Sequence, residues 1–148
     1  MKNCLIVYDS YHHGNTEKIA HAMAGASGSE ICSVEKANGE DVGGYEIIGL
    51  GSGIAYGKHY ERLLKAVRQY PLKGKRVFVF STSGTGSVKY NAALIHLLQE
   101  SGASVTGEFS CRGYDTFGPF KLVGGIAKGH PDDEDIANAK EFIGRMLA

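Results

Sequence analysis

The sequence predicts an α/β fold, a three-layer α/β/α sandwich in which helices cover both faces of a five-stranded parallel sheet. Five apolar, β-rich runs alternate along the chain with stretches of helical periodicity, and the runs CLIVY and RVFVF are almost free of polar residues. Strands that are buried on both faces have this composition. The alternation favours right-handed crossovers between parallel strands. A length of 148 residues suits one domain, residues 1–148.

The individual elements follow from the same patterns. Strands are predicted over residues 4–8, 30–34, 45–51, 76–81 and 104–111. Helices are predicted over 15–26, 60–67, 90–100 and 133–147, because each range places apolar residues on one face. The last helix has a clear start signal, since GHPDDEDI sets a proline and several carboxylates before and within its first turn.

Composition excludes several classes of protein. Hydrophobic residues make up 43% and charged residues 22%, as in ordinary soluble domains. No apolar run approaches the roughly 20 residues that span a bilayer, and MKNCLIVYDS turns polar too early for a signal peptide. The 3 cysteines lack metal-like spacing, which suits a reducing cytoplasm and argues against zinc or iron–sulfur ligation.

Charge gives little information about partners. There are 16 basic and 16 acidic residues, and the basic stretch over residues 58–76 balances the acidic run DDED at 132–135. The simplest interpretation of both is solvated helix surface. The short basic helix by itself does not support nucleic-acid binding.

The first loop of chemical interest is SYHHGNT, which follows the first strand. Ser10, Asn15 and Thr16 are short hydrogen-bonding residues, and Gly14 keeps the backbone close to a ligand. The loop ends at a helix N-terminus, where free amides and the helix dipole favour an anion such as a phosphate monoester. It matches neither the nucleoside-triphosphate P-loop nor the dinucleotide fingerprint. The alternative is a simple helix cap.

The second loop, GSGIAYGKHY, follows the third strand. It offers the amides of Ser52 and Gly53, then Tyr56 beside Gly57. An exposed aromatic residue at the ligand edge of a sheet can stack on a planar ring. The alternative is a tyrosine that packs beneath the following helix.

The third loop, STSGTGSVKY, follows the fourth strand and is rich in hydroxyl groups and glycine. It contains no acid, histidine or thiol. Such a loop surrounds a polar ligand with backbone amides and does not transfer protons, so no catalytic residue is predicted here. The alternative is a glycine-rich hairpin without a ligand.

These three loops together resemble those of the flavodoxins, which bind FMN and carry electrons. The resemblance covers the whole chain and is strongest at YDSYHHGNTEKIA, at AYGK and at STSGTG. It implies a flavodoxin-like sheet of order 2-1-3-4-5. The cofactor-binding residues that it implies are Ser10, Tyr11, His12, His13, Gly14, Asn15 and Thr16 in the first loop, Ser52, Gly53, Ile54, Tyr56 and Gly57 in the second, Thr82, Ser83, Gly84, Thr85 and Gly86 in the third, and Tyr114.

The sequence departs from the family pattern in three ways. The phosphate loop is one residue longer, and His12 and His13 replace a small hydroxyl residue; a neutral histidine can still donate an N–H to phosphate. No third ligand lies near this pair in the sequence, so no metal is predicted. The third loop lacks a stacking aromatic, for which Tyr90, Tyr114 and Phe117 are candidates. The chain is neutral, whereas flavodoxins are usually acidic.

The resemblance implies an electron carrier that shuttles electrons between redox partner proteins through the flavin semiquinone and hydroquinone. In the family, a peptide at the position of Gly57 turns over to accept a hydrogen bond from reduced flavin, and a cation at Lys58 would raise the potential and favour docking to acidic faces of partners. The alternative is an FMN-dependent oxidoreductase that acts on a quinone or a haem precursor. A response-regulator receiver is excluded, because Asp9 lacks the second acid that receivers need.

Overall fold

The computed structural model describes residues 2–10, 14–114 and 127–148. Six strands occur in these ranges: β1 Lys2–Asp9, β2 Glu30–Ser33, β3 Tyr45–Ala55, β4 Lys58–His59, β5 Arg76–Ser83 and β6 Ser104–Arg112. The helices are α1 Asn15–Ser27, α2 Gly39–Gly43, α3 Glu61–Gln69, α4 Ala92–Glu100 and α5 Asp133–Leu147, and a 3-10 helix covers Val88–Asn91. None of these helices is long and apolar enough to cross a membrane.

The five long strands form one parallel sheet of order β2-β1-β3-β5-β6. Counted without the two-residue β4, this is the predicted order 2-1-3-4-5, and the predicted fold is confirmed. The additional strand β4 pairs antiparallel with the end of β3 and forms a hairpin over residues 54–59. We refer to this segment as the 54–59 hairpin.

The core has two halves, one on each face of the sheet. On one face, α3 and α4 bury leucines against β1, β3 and β5, with Leu63, Leu94 and Leu98 fully inside. On the other face, α1 and α5 pack against Phe78 and Phe80. Burial of two apolar faces explains why the strands are nearly continuous apolar runs. The sheet therefore lies between two layers of helices.

Among the strands, β3 and β5 extend furthest beyond their predicted carboxyl ends. β3 continues to Ala55 and β5 to Ser83, so the second and third loops begin as strand. The backbone hydrogen bonds continue because each strand still has a neighbouring strand to pair with: Gly53 pairs with Thr82, and Ser83 pairs with Arg112. These strand ends are polar, so the sequence pattern did not predict that they pair.

Helix α2 was not predicted, because GEDVG begins and ends in glycine. A capping box stabilises it: the Asn38 side chain accepts the N–H of Asp41, and the Asp41 carboxylate accepts the N–H of Asn38. The short helix buries Val42 in the core.

Candidate cofactor site

The predicted binding segments meet at one edge of the sheet. The carboxyl ends of β1, β3 and β5 lie side by side, with Asp9 opposite Ser52 and Gly53 opposite Thr82. The strand order reverses between β1 and β3, and ligands of open α/β sheets bind outside the strands at this point. Three segments that are far apart in sequence therefore surround one position.

The first segment leads into the N-terminus of α1, where backbone amides and hydroxyl groups are available to a ligand. Gly14 occupies the N-cap with φ 65°, a conformation that is costly for other residues, and it offers no capping side chain. Ser10 accepts the N–H of Glu17 at 3.2 Å. The buried hydroxyls of Thr16 and Thr82 are 2.8 Å apart. Their mutual hydrogen bond uses one of two hydroxyl hydrogens, so the other remains for a ligand.

Asn15 is the second polar residue at this helix start. It is buried, and its Nδ2 donates to the carbonyl of Tyr114 at 2.8 Å. Among the residues that the structure describes, its Oδ1 has no hydrogen-bond partner. The chain after β6 approaches so closely that a Cβ on Gly113 would lie 2.6 Å from Nδ2. A buried acceptor without a donor is costly, and a hydroxyl-bearing ligand would satisfy it.

The second segment is the 54–59 hairpin. Its two turn residues, Tyr56 and Gly57, have φ values of 55° and 78°, which is the pattern of a type I′ turn. The Tyr56 ring is 89% exposed, so the alternative in which it packs beneath α3 does not hold. Tyr60 covers the base of the hairpin: a Cβ on Gly53 would lie 2.3 Å from its hydroxyl oxygen.

The third segment follows β5 and is held by its own hydroxyl groups. The Gly86 N–H donates to Ser83 at 2.9 Å, and Thr85 donates to the hydroxyl of Tyr90 at 3.2 Å. Gly84 is buried, whereas Thr85 is exposed. Thr82, at the start of this loop, differs in that its hydroxyl is hydrogen-bonded to Thr16 in the first segment.

A buried hydrogen-bond network lies beneath the hairpin. His59 is fully buried, with Nδ1 2.8 Å from Ser52 Oγ and Nε2 2.8 Å from Asn91 Oδ1. Asn91 Nδ2 donates to Glu108 and Ser110, both at 3.1 Å. Burial lowers the pKa of His59 from 6.5 to about 4, although the bond with Asn91 acts in the opposite direction. His59 is therefore neutral at pH 7.

The connection Ser52–His59–Asn91 has the order of a hydrolytic triad, but it cannot act as one. All three side chains have 0% exposure, so no substrate reaches the hydroxyl. Ser52 also accepts the N–H of Tyr60 at 3.2 Å and contacts the carbonyl of Gly53 at 2.7 Å. The network therefore holds the hairpin in place and performs no chemistry on a substrate.

An ion pair fixes the base of the first loop. Asp9 is 1% exposed and receives two hydrogen bonds from Arg62 on α3, which also pairs with Glu35 at 3.0 Å. A buried carboxylate needs such a partner. Asp9 therefore connects the end of β1 to α3.

Lys58, beside the turn, pairs with Glu61 at 3.6 Å, and both side chains are about half exposed. Ligand atoms of His130, Asp132 and Asp135 lie within 4.8 Å of one another, but the two aspartates form the capping box of α5. Helix capping accounts for that cluster, and the absence of a metal stays a prediction.

The structure brings together most of the predicted site residues, and Tyr11, His12, His13 and Phe117 lie outside the described residues. Ser52 is directed inwards, into the network of His59. Sequence reasoning missed His59 and Asn91. Strand alternation offered a signal for His59, because Lys58 and His59 must face opposite sides of β4.

A doubly wound α/β sandwich with an open helix N-terminus and an exposed tyrosine at the switch point is the arrangement found in many proteins that bind nucleotides or flavins. The flavodoxin domain model matches residues 5–115. The chain belongs to the flavodoxin family.

The chain is also similar in sequence to another protein and in fold to solved structures. An uncharacterized protein of Methanocaldococcus jannaschii is 41% identical over 145 residues, which is 97% of each chain. The structure of a flavodoxin from the domain Archaea matches with a TM-score of 0.73 and 18% identity, over 98% of this chain and 96% of that one. Flavodoxin 2 from Bacillus cereus matches with a TM-score of 0.72 and 21% identity, over 97% of both chains.

Flavodoxins bind FMN as a rule, and the residues here fit that group. A phosphate accepts hydrogen bonds, and the helix start supplies amides and the spare threonine hydrogen. The ribityl chain has hydroxyl donors, which Asn15 Oδ1 needs. Tyr56 offers an exposed aromatic face for the ring.

Proposed function

We propose that this chain binds FMN at the three segments and carries electrons between redox proteins. The observation that supports this most strongly is the start of α1, where Thr16 and Thr82 share one hydrogen bond and the buried Oδ1 of Asn15 has no donor within the described ranges. A phosphate would accept the remaining threonine hydrogen, and a hydroxylated chain attached to it would donate to Oδ1 of Asn15. FMN supplies the redox chemistry, while Thr16, Thr82 and the amides of α1 bind the phosphate.

A carrier is favoured over an enzyme with its own substrate by the contents of the site. In the described ranges, Asn15, Thr16 and Thr82 supply amide and hydroxyl groups at this edge, and the histidine beneath the hairpin, His59, is enclosed. Proton transfer to a quinone or oxidation of a haem precursor would require an accessible acid or base. The oxidoreductase alternative is tested by steady-state turnover with NAD(P)H and quinones, which a carrier without a reductase does not support.

The partners that we propose are redox proteins with acidic docking faces. Tyr56 and Val88 are the exposed large apolar side chains of the described residues, and both lie beside the site. Lys58, Lys89 and Arg112 are exposed on the same segments or strand ends. An apolar centre with surrounding cations suits a short-lived, electrostatically steered complex with an acidic surface.

The proposal is tested by FMN binding. Purified protein is expected to take up one FMN and quench its fluorescence. Thr16→Val should weaken FMN binding by about tenfold, because one charge-assisted hydrogen bond is worth roughly 1.5 kcal/mol. Riboflavin, which lacks the phosphate, should bind both proteins equally. Thr106→Val, at an exposed position of β6, is the matched control. Protein that takes up no FMN would refute the proposed function.

Lys58→Glu is expected to lower the midpoint potential of the bound flavin by tens of millivolts, since reversing an exposed charge changes the free energy by roughly a fraction of 1 kcal/mol. Glu61 pairs with Lys58, so Glu61→Gln should shift the potential in the opposite direction. Both shifts should shrink in high salt. Equal potentials in all three proteins would show that Lys58 does not act on the flavin.

A further inference from the structure

The network beneath the 54–59 hairpin connects the two segments that flank the candidate ring site. Ser52 is in β3, His59 is in β4 of the hairpin, and Asn91 ends the 3-10 helix of the third segment. Contacts between β4 and the 3-10 helix bring these pieces together in space, and His59 bonds both neighbours at 2.8 Å. The position of the hairpin therefore depends on this one imidazole.

The hydrogen atoms of the network can be assigned from its acceptors. The Glu108 carboxylate only accepts, so Nδ2 of Asn91 must face it, which leaves Oδ1 to accept from His59. A neutral imidazole has one N–H. That hydrogen is on Nε2, and Nδ1 must accept from the hydroxyl of Ser52.

The Ser52 hydroxyl has two possible acceptors and one hydrogen. Its oxygen lies 2.8 Å from Nδ1 of His59 and 2.7 Å from the carbonyl oxygen of Gly53. With neutral His59, the hydrogen is needed at Nδ1. Once His59 carries a second proton, Nδ1 becomes a donor to Ser52, and the hydroxyl hydrogen turns to Gly53.

We propose that His59 is a positioning residue for the ring side of the site: in its neutral Nε2–H form it holds the 54–59 hairpin closed, and its protonation opens the hairpin and lowers the affinity for the flavin ring. The inference rests on the proposed function. A charged imidazole with 0% exposure requires water, and the two-residue strand β4 is the shortest element that can move to admit it.

The sign of the effect follows from proton linkage. Burial holds the pKa of His59 near 4 in the closed state, whereas an opened, hydrated imidazole has its ordinary pKa of 6.5. Acid therefore favours the open state between these values. A ring that binds the closed hairpin loses affinity over the same range, and its binding in turn lowers the pKa of His59 further.

The charged groups on the elements that pack around His59 are exposed, paired with one another, or connected to it through Asn91. Glu108 on β6 reaches it through Asn91. Lys89 on the 3-10 helix is exposed, and Lys58 and Glu61 pair with each other. On α4, exposed His96 pairs with Glu100 at 3.2 Å. Burial is the largest cause of the shift of the His59 pKa, and the bond with Asn91 is the opposing one.

The test is the pH dependence of riboflavin binding, because riboflavin lacks the titrating phosphate of FMN. In the wild-type protein the dissociation constant should rise by a factor of about four or more between pH 6.5 and 3.5, because a group with a pKa near 4 is mostly protonated at the lower pH. His59→Gln, which retains a donor towards Asn91, should bind more weakly at pH 7.5 and vary less than about twofold over this range. His96→Gln is the matched control and should follow the wild-type profile.

A second measurement remains valid if a variant folds poorly. Nitrogen chemical shifts of the wild-type histidines should show one imidazole in the Nε2–H form that is still neutral at pH 5. A wild-type protein that binds FMN, but whose riboflavin profile matches that of His59→Gln, would overturn this inference and leave the proposed function intact. A wild-type protein that binds no FMN would overturn the proposed function, and the inference with it.

Discussion

Replacing Arg62 with methionine is expected to lower the free energy of unfolding by about 3 kcal/mol, because the substitution leaves a buried carboxylate without its cation. Asp9 is 1% exposed, and Arg62 donates to both of its oxygens, through Nε at 3.1 Å to Oδ2 and through Nη2 to Oδ1. Methionine retains the aliphatic contacts of arginine, so the loss reports the charge. Urea denaturation at pH 7 measures it.

Two controls separate the buried pair from ordinary surface charge. Arg68→Met, also on α3, removes a half-exposed cation that pairs with Glu61 at 3.4 Å, and it should cost less than about 1 kcal/mol. Adding Asp9→Asn to Arg62→Met should restore part of the lost stability, since the uncompensated charge is then gone. A loss from Arg62→Met no larger than that from Arg68→Met would refute this role for Asp9.

The second large effect is a loss of stability in acid. The pKa of His59 is lowered from 6.5 to about 4 in the folded protein, so between these values the unfolded chain binds more protons than the folded one. The contribution is complete above pH 6.5 and is lost as the pH falls towards 4. Each pH unit is worth about 1.4 kcal/mol, which gives a loss on the order of 3 kcal/mol across the window.

The measurement compares the slopes of unfolding free energy against pH in wild-type protein without added flavin and in two variants. His59→Gln should have a shallower slope between pH 6.5 and 4, even where its stability at pH 7 is lower. His96→Gln removes a 76% exposed histidine and should keep the wild-type slope. Identical slopes in wild type and His59→Gln would show that His59 takes up its proton without resistance in the folded state.

The sequence was sufficient for the architecture. Apolar runs such as RVFVF specify strands that must be covered on both faces, and the alternation with helices leaves the parallel crossover as the simple solution. The strand order and the helical layers agree with that prediction. Strand ends were less predictable, because β3 reaches Gly53 by pairing with Thr82, which is far away in the chain, and reaches Ala55 through the hairpin with Lys58 and His59.

The candidate site was only partly predictable. GNT at the start of α1 and the pair Tyr56–Gly57 could be identified locally, since a helix start and a left-handed turn have their own residue preferences. The partner of Thr16 could not, because Thr82 is 66 residues away and reaches it only through the sheet register. That Ser52 offers its amide to a ligand stays a prediction, whereas the contact of its side chain with His59 could not be predicted from the sequence.

Periodicity and local turn chemistry act over short distances, so the amino-acid pattern is enough to specify a flavodoxin-like sandwich with a helix start at the carboxyl end of β1. The roles of His59, Asn91, Asp9 and Arg62 depend on the folded structure. A polar side chain in a sequence carries no mark of its burial. Its role follows from the dielectric around it and from the donors and acceptors that other elements bring within 3 Å or so.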